Sequence, residues 1–533
     1  MIYQNKFWFL GFAIVLLTFV LQSSCSQPGG PKTAESKSGP DDSQDDSSDL
    51  VDPPGSIQGE LDTVDWNSML GQEVTLGGDL VVVDTFNLIR RGQIRVARNR
   101  LMIPTSEFDP NDADAEGVKY EGGENVAKIS EAQKINDSAS IILDDGLDQE
   151  NLFPPRLFPG LGDAHPTVRI GSTIQGVSGK LVKSGNKIVL VPNGRLQWNP
   201  VDRPKRPDLG NPDIVVASFN VLNYFTTIDN KKNGARGADS LSEFSRQEAK
   251  LVSAITQMKA DVIGLMELEN NLKSEQRLVE ALNEELGKEV FQGCGLPTGF
   301  RSAAGGDNAI RVGIIFRNDR VSPVGEIAMI RDDAFDVART PLVQKFKAKS
   351  SGPNIPPFTL IVNHFKSKGG SSRVNKVNKN KGDGQGAYNS KRVAQSLAIC
   401  SYIESVSLDN ENPRVLMIGD LNAYEQEDPI DAIRAKGLVD LRKRFESKSP
   451  TDPKTDYSFV YYGQSGSLDH AFATQSLADQ ITGIATWHIN ADEPRFLDYN
   501  EEYNPESVYQ PNPFRSSDHD PVLIGIRNSP LKN

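Results

Sequence analysis

A mixed α/β domain of roughly 300 residues, preceded by a small all-β module, is the fold class that this sequence predicts, and three observations predict it. Between about residues 59 and 200, short runs rich in β-branched residues are separated by Gly, Asn and Asp turns. After a Pro-rich join at 199–212 the pattern changes to strands alternating with amphipathic helices. Several of those later strands end in an acid, an amide or an imidazole.

The chain of 533 residues opens on Lys6 and an apolar run at 7–21. That run has the size of a secretory h-region and falls short of the roughly 20 residues that span a bilayer, so the mature protein is expected to be exported. The run closes on Leu21, Gln22, Ser23, Ser24 and Cys25, which resembles the lipobox of bacterial lipoproteins, with Gln22 where an aliphatic residue is usual. Residues 1–25 therefore read as a signal peptide. Acylation of Cys25 would tether the protein to the cell envelope, and ordinary cleavage nearby would release it. Residues 26–56 are Pro, Gly, Ser and Asp with almost no large apolar side chain, a disordered acidic linker that its own charge extends. Cys294 and Cys400 remain: an exported pair invites a disulfide, while the helical spacing of Cys400 with Val393 and Leu397 suits a buried thiol.

Residues 57–200 carry β-rich runs at 73–76, 80–83, 141–143 and 187–191 and read as a small all-β barrel. The order of its strand runs and turns, with Asp144-Asp145-Gly146 between them, resembles the OB-fold modules that precede the catalytic domain of some bacterial extracellular nucleases. Such a module either binds single strands or acts as a spacer, and the aromatics that a stacking groove needs are sparse in it. Residues 208–528 form the second domain. Strands are expected at 213–219, 262–266, 312–316, 359–362, 415–418 and 522–526, with helices at 242–259 and 390–406. In the first helix Phe244, Leu251, Val252, Ile255 and Met258 share one stripe.

The strand ends of this domain present Asn220 and Asn223, then Glu267, then Asn363 and His364, then Asp420 and Asn422, then Asp469, then Asp518 and His519. A single polar residue after a strand is ordinarily a turn former. Together, hard oxygen donors beside two imidazoles are what phosphate-ester chemistry requires: ligands for a divalent cation and a base unprotonated near neutral pH. The net charge of −13 excludes a protein coated in positive charge, yet a site that recruits its own cation is locally positive whatever the total.

The strings 217–223, 260–267, 362–369, 419–424, 467–470 and 517–521 occur in an order that resembles the endonuclease/exonuclease/phosphatase superfamily, the fold of deoxyribonuclease I. Segments 382–386 with Asn389 and Arg392, and 487–494, resemble its bacterial secreted nucleases more narrowly. The resemblance implies a four-layer α/β sandwich. It also implies that Glu267 is the principal metal ligand, assisted by Asn220 and Asp518, for Mg²⁺ or Mn²⁺, with Ca²⁺ a further option. His519 would be the general base, oriented by Asp469; Asp420 and Asn422 would hold the attacking water and a phosphate oxygen; and His364 would serve the leaving oxygen. Asn223, Arg246, Arg339, Lys366, Lys368 and Arg392 would bind substrate. His470 faces the opposite side of its strand from Asp469, and His165 and His488 are expected to be structural.

Lys366, Lys368, Arg373, Lys376, Lys379 and Lys381 form a basic run after His364, either a solvated loop or a grip on the phosphate backbone. The function so implied is an exported, metal-dependent endonuclease cutting DNA, and possible RNA, by in-line attack of water. Two rivals stand beside it. One is a phosphatase or lipid phosphodiesterase on the same fold, which for membrane lipids would favour an exposed aromatic hairpin, and no clear candidate for one stands out. The other is a non-catalytic surface-binding protein.

Overall fold

Residues 56–110, 124–161, 167–300, 309–349, 356–369, 374–407, 412–446 and 456–527 are described by the computed structural model. The leader with Cys25, most of the acidic linker, His165 and Arg373 lie outside them. The remainder belongs to one compact unit beginning at Pro53.

The N-terminal part closes on itself. Strands Glu73–Asp84, Gln93–Ala97, Ser140–Asp144, Lys187–Pro192 and Thr173–Ser184 are neighbours in that order, and Thr173–Ser184 pairs back with Glu73–Asp84. One of the five contacts, Ser140–Asp144 with Lys187–Pro192, is parallel. Val74, Leu76, Leu80, Val82, Ile94, Val96, Ile141, Leu143, Leu181 and Leu190 fill the interior, the buried half of each alternating strand. The runs at 73–76 and 80–83 are a single strand rather than two: the register slips between Leu76 and Asp79, where Gly78 takes φ +68° and lets the strand bend without breaking.

The C-terminal part has four layers. One sheet has the order Phe291–Gly293, Ile310–Arg317, Val262–Glu269, Ile214–Tyr224, Val522–Ile526, Ile481–Thr486, and the other Val321–Met329, Leu342–Ala348, Phe358–His364, Val415–Asp420, Asp469–Ala473, Val439–Asp440. Val216, Val262, Ile314, Leu360, Val362, Leu416, Ile418 and Ile524 pack between them. Helices Leu241–Met258 and Leu272–Leu286 cover the first sheet through Leu251, Ile255, Leu278 and Leu282. Helices Asn389–Ser407 and Asp428–Ala435 cover the second through Ile399, Ile403, Ile430 and Ile433. The expected sandwich is thus present. The first helix starts on a Ser240 cap, whose Oγ accepts the Glu243 N–H, and stops at Lys259, which takes the left-handed conformation.

Cys294 and Cys400 are free thiols, so the disulfide alternative falls. Cys400 is buried beneath its helix in the outer layer, whereas Cys294 packs against the core between the sheets. Among the described residues no helix is long and apolar enough to cross a membrane.

The sheets pack tightly at Gly264. A Cβ there would lie 2.7 Å from Val362 Cγ2 and 2.8 Å from Ile418 Cδ1, two residues before His364 and Asp420. Gly264→Ala should therefore overpack the centre and lower stability by about 1–3 kcal/mol, read as a lower urea midpoint with an unchanged m-value.

Candidate active site

Two parallel strand pairs set the site. Ile214–Tyr224 runs parallel to Val262–Glu269, and Phe358–His364 to Val415–Asp420. Their C-terminal ends carry Asn220 with Asn223, Glu267, His364 and Asp420. The antiparallel neighbours begin where those strands end: Asp469 is opposite Asp420, and Val522, three residues after His519, is opposite Ser218. Residues some 300 positions apart in sequence thereby meet at one edge of both sheets.

The Asp420 carboxylate is the centre. Its Oδ2 lies 3.4 Å from His364 Nε2, 3.4 Å from Asn220 Nδ2 and 4.0 Å from His519 Nε2, and its Oδ1 accepts the Asn422 N–H at 2.8 Å. The other face of the His519 ring is fixed by Nδ1 at 2.7 Å from Asp469 Oδ2, which also accepts the Ser458 hydroxyl at 2.7 Å. The Phe459 ring lies 4.7 Å from the imidazole and tilts over it. Glu267 takes φ +68° at a register shift between Met266 and Leu268, which turns its carboxylate back toward the first strand. There Oε2 accepts the Asn223 N–H at 3.0 Å and Oε1 accepts the Asn220 amide at 3.3 Å. Leu222, Asn223 and Asn422 also have positive φ, so the backbone holds uncommon conformations on both sides of the site.

Burial decides the charge states. It lifts the Asp420 carboxyl to about 7, with His519 opposing and Asp469 and Glu267 adding to the rise. Burial likewise raises Glu267, reinforced by the nearby Asp518 carboxylate and opposed by Arg339. It pushes His364 well below the usual imidazole range, helped by the positive charge of Arg339. His519 goes the other way: burial disfavours its charge, but Asp469, then Asp518 and Asp420, more than offset that and hold it well above the ordinary value. The two imidazoles are thus poised oppositely, one neutral and one with an affinity for protons.

The rise of Glu267, by burial and then by the neighbouring Asp518 carboxylate, signals a shortage of positive charge around it. Glu267 and Asp518 carry carboxylate oxygens and Asn220 an amide oxygen, the hard donor types that a divalent cation takes. Among the described residues, the single trio of acids close enough to share an ion is elsewhere: Asp239, Glu243 and Glu502. Glu243 is already used there, since it accepts the backbone N–H groups of Asp239 at 2.9 Å and of Glu501 at 2.7 Å as part of the helix cap.

The expected substrate-binding residues divide. Arg339 reaches the site, donating to Phe365 O at 2.9 Å, where the Asn422 amide also donates at 3.2 Å. Lys366 is half-buried, 4.7 Å from the Tyr388 ring centre. Asn223 acts through its backbone N–H on Glu267. Two readings need correction. Arg392 is fully buried and donates to the carbonyls of Gln385, Ala387 and Lys366, which leaves it a structural tie rather than a phosphate contact. Lys368 is paired with the buried Glu427, which also accepts Thr105 Oγ1 at 2.8 Å, and burial holds the lysine down to about 8. Arg246 lies over the Tyr509 ring at 4.1 Å and pairs with Glu501 at 3.3 Å. Of the rest of the basic run, Lys376, Lys379 and Lys381 are exposed.

His470 is structural as expected, with Nε2 at 2.8 Å from Ala423 O, and so is His488, stacked on Tyr457 and 2.9 Å from Asp520. Sequence reading passed over Ser458, Phe459 and an aromatic hairpin whose tip carries Tyr461 and Tyr462, 55% and 69% exposed. The signal was there: three aromatics within four residues, followed by Gly463.

A four-layer sandwich with acids, amides and two imidazoles gathered at one edge defines a phosphoester hydrolase by fold and site. The chain belongs to the endonuclease/exonuclease/phosphatase family, whose sequence model matches residues 217–519, more than half of the chain. Members of this family hydrolyse phosphoester bonds and generally use divalent metals. No curated protein matches the chain. Similar solved structures include the human Nocturnin catalytic domain with bound sulfate (16% identity, 59% of this chain and 94% of that one, TM-score 0.37). A mannosyl-6-phosphatase of Bacteroides thetaiotaomicron is another (15%, 59% and 99%, 0.35). A third is D. rerio TDP2 complexed with a single-strand DNA product (14%, 58% and 97%, 0.36).

Two predictions follow from the buried groups. Arg392→Lys should cost about 2–4 kcal/mol in a denaturant melt, because a lysine cannot reach three carbonyls at once; a change in substrate affinity with full stability would contradict the structural assignment. Burial, with Arg442 nearby, lowers His470 to about 4. Between pH 6.5 and 4 the unfolded chain binds a proton there that the folded chain does not, so stability falls as pH drops through that window, by on the order of 3 kcal/mol. His470→Gln should flatten that part of the stability profile.

Proposed function

We propose that this protein is an exported, divalent-metal-dependent endonuclease that hydrolyses phosphodiester bonds of DNA, with RNA a second substrate, by in-line attack of water. The observation that carries this reading is the convergence of His364, Asn220 and His519 on one carboxylate oxygen of Asp420, beside the paired acids Glu267 and Asp518. Export rests on the leader, and an envelope tether on Cys25.

In this reading Glu267, Asp518 and Asn220 hold Mg²⁺ or Mn²⁺. The cation, when bound, neutralises phosphate charge and offsets the carboxylate charge that favours protonated His519. Asp420 and Asn422 position the water, and His519 Nε2 accepts its proton as the new O–P bond forms. Asp469, fixed by Ser458, keeps the imidazole in the tautomer that presents Nε2 and stabilises the imidazolium. As the opposite P–O bond breaks, charge grows on the leaving oxygen. His364 is held neutral by burial, which suits it to donate a hydrogen bond there rather than transfer a whole proton. Arg339, with its charge beside Glu267 and Asp420, is placed for a non-bridging phosphate oxygen.

Plasmid nicking with Mg²⁺, with Mn²⁺ and with chelator tests the reading, alongside RNA, a sugar monophosphate and a phospholipid. DNA should be cut with either metal and spared in chelator; hydrolysis of the monoester or the lipid alone would replace the nuclease. His519→Ala should lower kcat by about 10³ or more and Asp469→Asn by about 10²–10⁴, with Tm within a few degrees of wild type for His519→Ala. A collapsed melt would make His519 a core residue instead.

A further inference from the structure

A cavity of about 410 Å³ opens between the barrel and the sandwich, within the size range of ligand sites, roughly 300–1,000 Å³. Phe86, Arg95 and Lys187 of the barrel form one wall, and Tyr461 and Tyr462 of the hairpin form another. Asp518 lines the same space, so the barrel borders the catalytic cleft.

An aromatic track leads out of the site along the hairpin. Phe459, tilted over His519, stacks on Tyr461 with centres 6.5 Å apart and planes at 19°. Tyr461 meets Tyr462 edge to face at 4.5 Å. Across the cavity Phe86 is 53% exposed, with Arg495 5.5 Å from its ring centre. Rings this exposed, gathered around one concavity, are a surface that a ligand covers. Cations accompany them: Arg95, Lys187 and Arg495 are in the lining. Of the acids there, Asp84 accepts the Phe86 N–H at 2.7 Å, and Glu493 is paired with Arg169 and Arg203.

The geometry points to a stacking groove for unpaired nucleic-acid bases next to the scissile phosphate. Tyr461, Tyr462 and Phe86 receive base faces, while Arg95, Lys187 and Arg495 meet the backbone. This deepens the nuclease reading, on which it rests, by making single-stranded or locally opened strands the preferred substrate. Rings can stack on a base only when its face is free, and in a duplex both faces are taken.

A membrane is the other chemistry that exposed aromatics serve, and the hairpin is built against it. Its second strand, Gln464–Gly466, pairs with Leu101–Met102, and Asn136 Nδ2 donates to Gln464 Oε1 at 2.7 Å. At the tip, a Cβ on Gly463 would lie 3.2 Å from Arg95 Cδ. The tip therefore faces the barrel's cations across a concavity, where a flat bilayer does not reach.

The test uses the full chain, with the double variant Phe86→Ala/Tyr462→Ala and the ring-preserving Tyr462→Phe. Binding of a fluorescein-labelled oligothymidylate of about 15 nucleotides, followed by anisotropy in chelator so that nothing is cut, should weaken about tenfold or more in the double variant and stay near wild type in Tyr462→Phe. With metal restored, kcat/KM for that oligonucleotide should fall at least about tenfold further than kcat/KM for bis(p-nitrophenyl) phosphate, which is too small to reach the groove. Oligonucleotide binding within about twofold of wild type would overturn the proposal. So would equal binding of a duplex with the same dependence on the rings, or a loss confined to vesicles of phosphatidylcholine and sphingomyelin. Failure of the wild type to hydrolyse either substrate with Mg²⁺ or Mn²⁺ would sink the nuclease reading instead, and the binding measurement in chelator would still decide the groove.

Discussion

Everything at the active edge depends on one buried carboxylate. Asp420 ends a central strand, its Oδ1 is tied to the Asn422 N–H, and its Oδ2 faces His364, Asn220 and the ring of His519. An acid this deeply buried is costly to ionise unless polar partners surround it, and Asn220, His364 and His519 arrive from three separate segments of the chain. The carboxylate can therefore sit there only if both sheets end at the same level. The close approach at Gly264 fixes that level, because Val362 and Ile418 meet it two residues before His364 and Asp420.

A second group of buried charges joins the barrel to that framework. Asp492 and Glu493, in the segment after strand Ile481–Thr486, receive Arg100 and Arg169 from the N-terminal part. Tyr457 also donates to Asp492, at 2.8 Å, and Asp520, next to His519, accepts the Asn490 and Ala491 N–H groups. Breaking such a network would strand an unpaired charge, which makes the docking specific in geometry more than strong in net energy. On the other flank Thr105 joins the Lys368–Glu427 pair. The barrel thus contacts both ends of the loops that shape the cleft, which is how a module without catalytic residues comes to form a wall of it.

Much of this was legible in the sequence. Strand-end acids, amides and imidazoles are read directly, since a side chain after a buried run emerges at a sheet edge whatever the fold's details. The amphipathic stripe of Leu241–Met258 follows from local rules in the same way. Arg392 and Lys368 misled because a cation in a Gly-rich segment looks the same whether it faces solvent or a buried Glu427 and a row of carbonyls. Phe459, Tyr461 and Tyr462 were passed over for the opposite reason: isolated from their surroundings they are three rings in a short hairpin, and only the place of Phe459 beside His519 and of the two tyrosines in the same cavity wall gives them meaning.

By itself the sequence determined which chemical groups are available and, through period and capping, the elements that carry them. These are properties of residues near one another in the chain, so local sterics and hydrophobic patterning suffice to set them. Tertiary structure decided which charges are spent inside and which face the cleft. It set His364 neutral and His519 proton-seeking, and it turned a barrel strand and a distant hairpin toward a common space. Those outcomes depend on burial and on distances between residues hundreds of positions apart, and electrostatic energy is fixed by separation in space, which no linear order records.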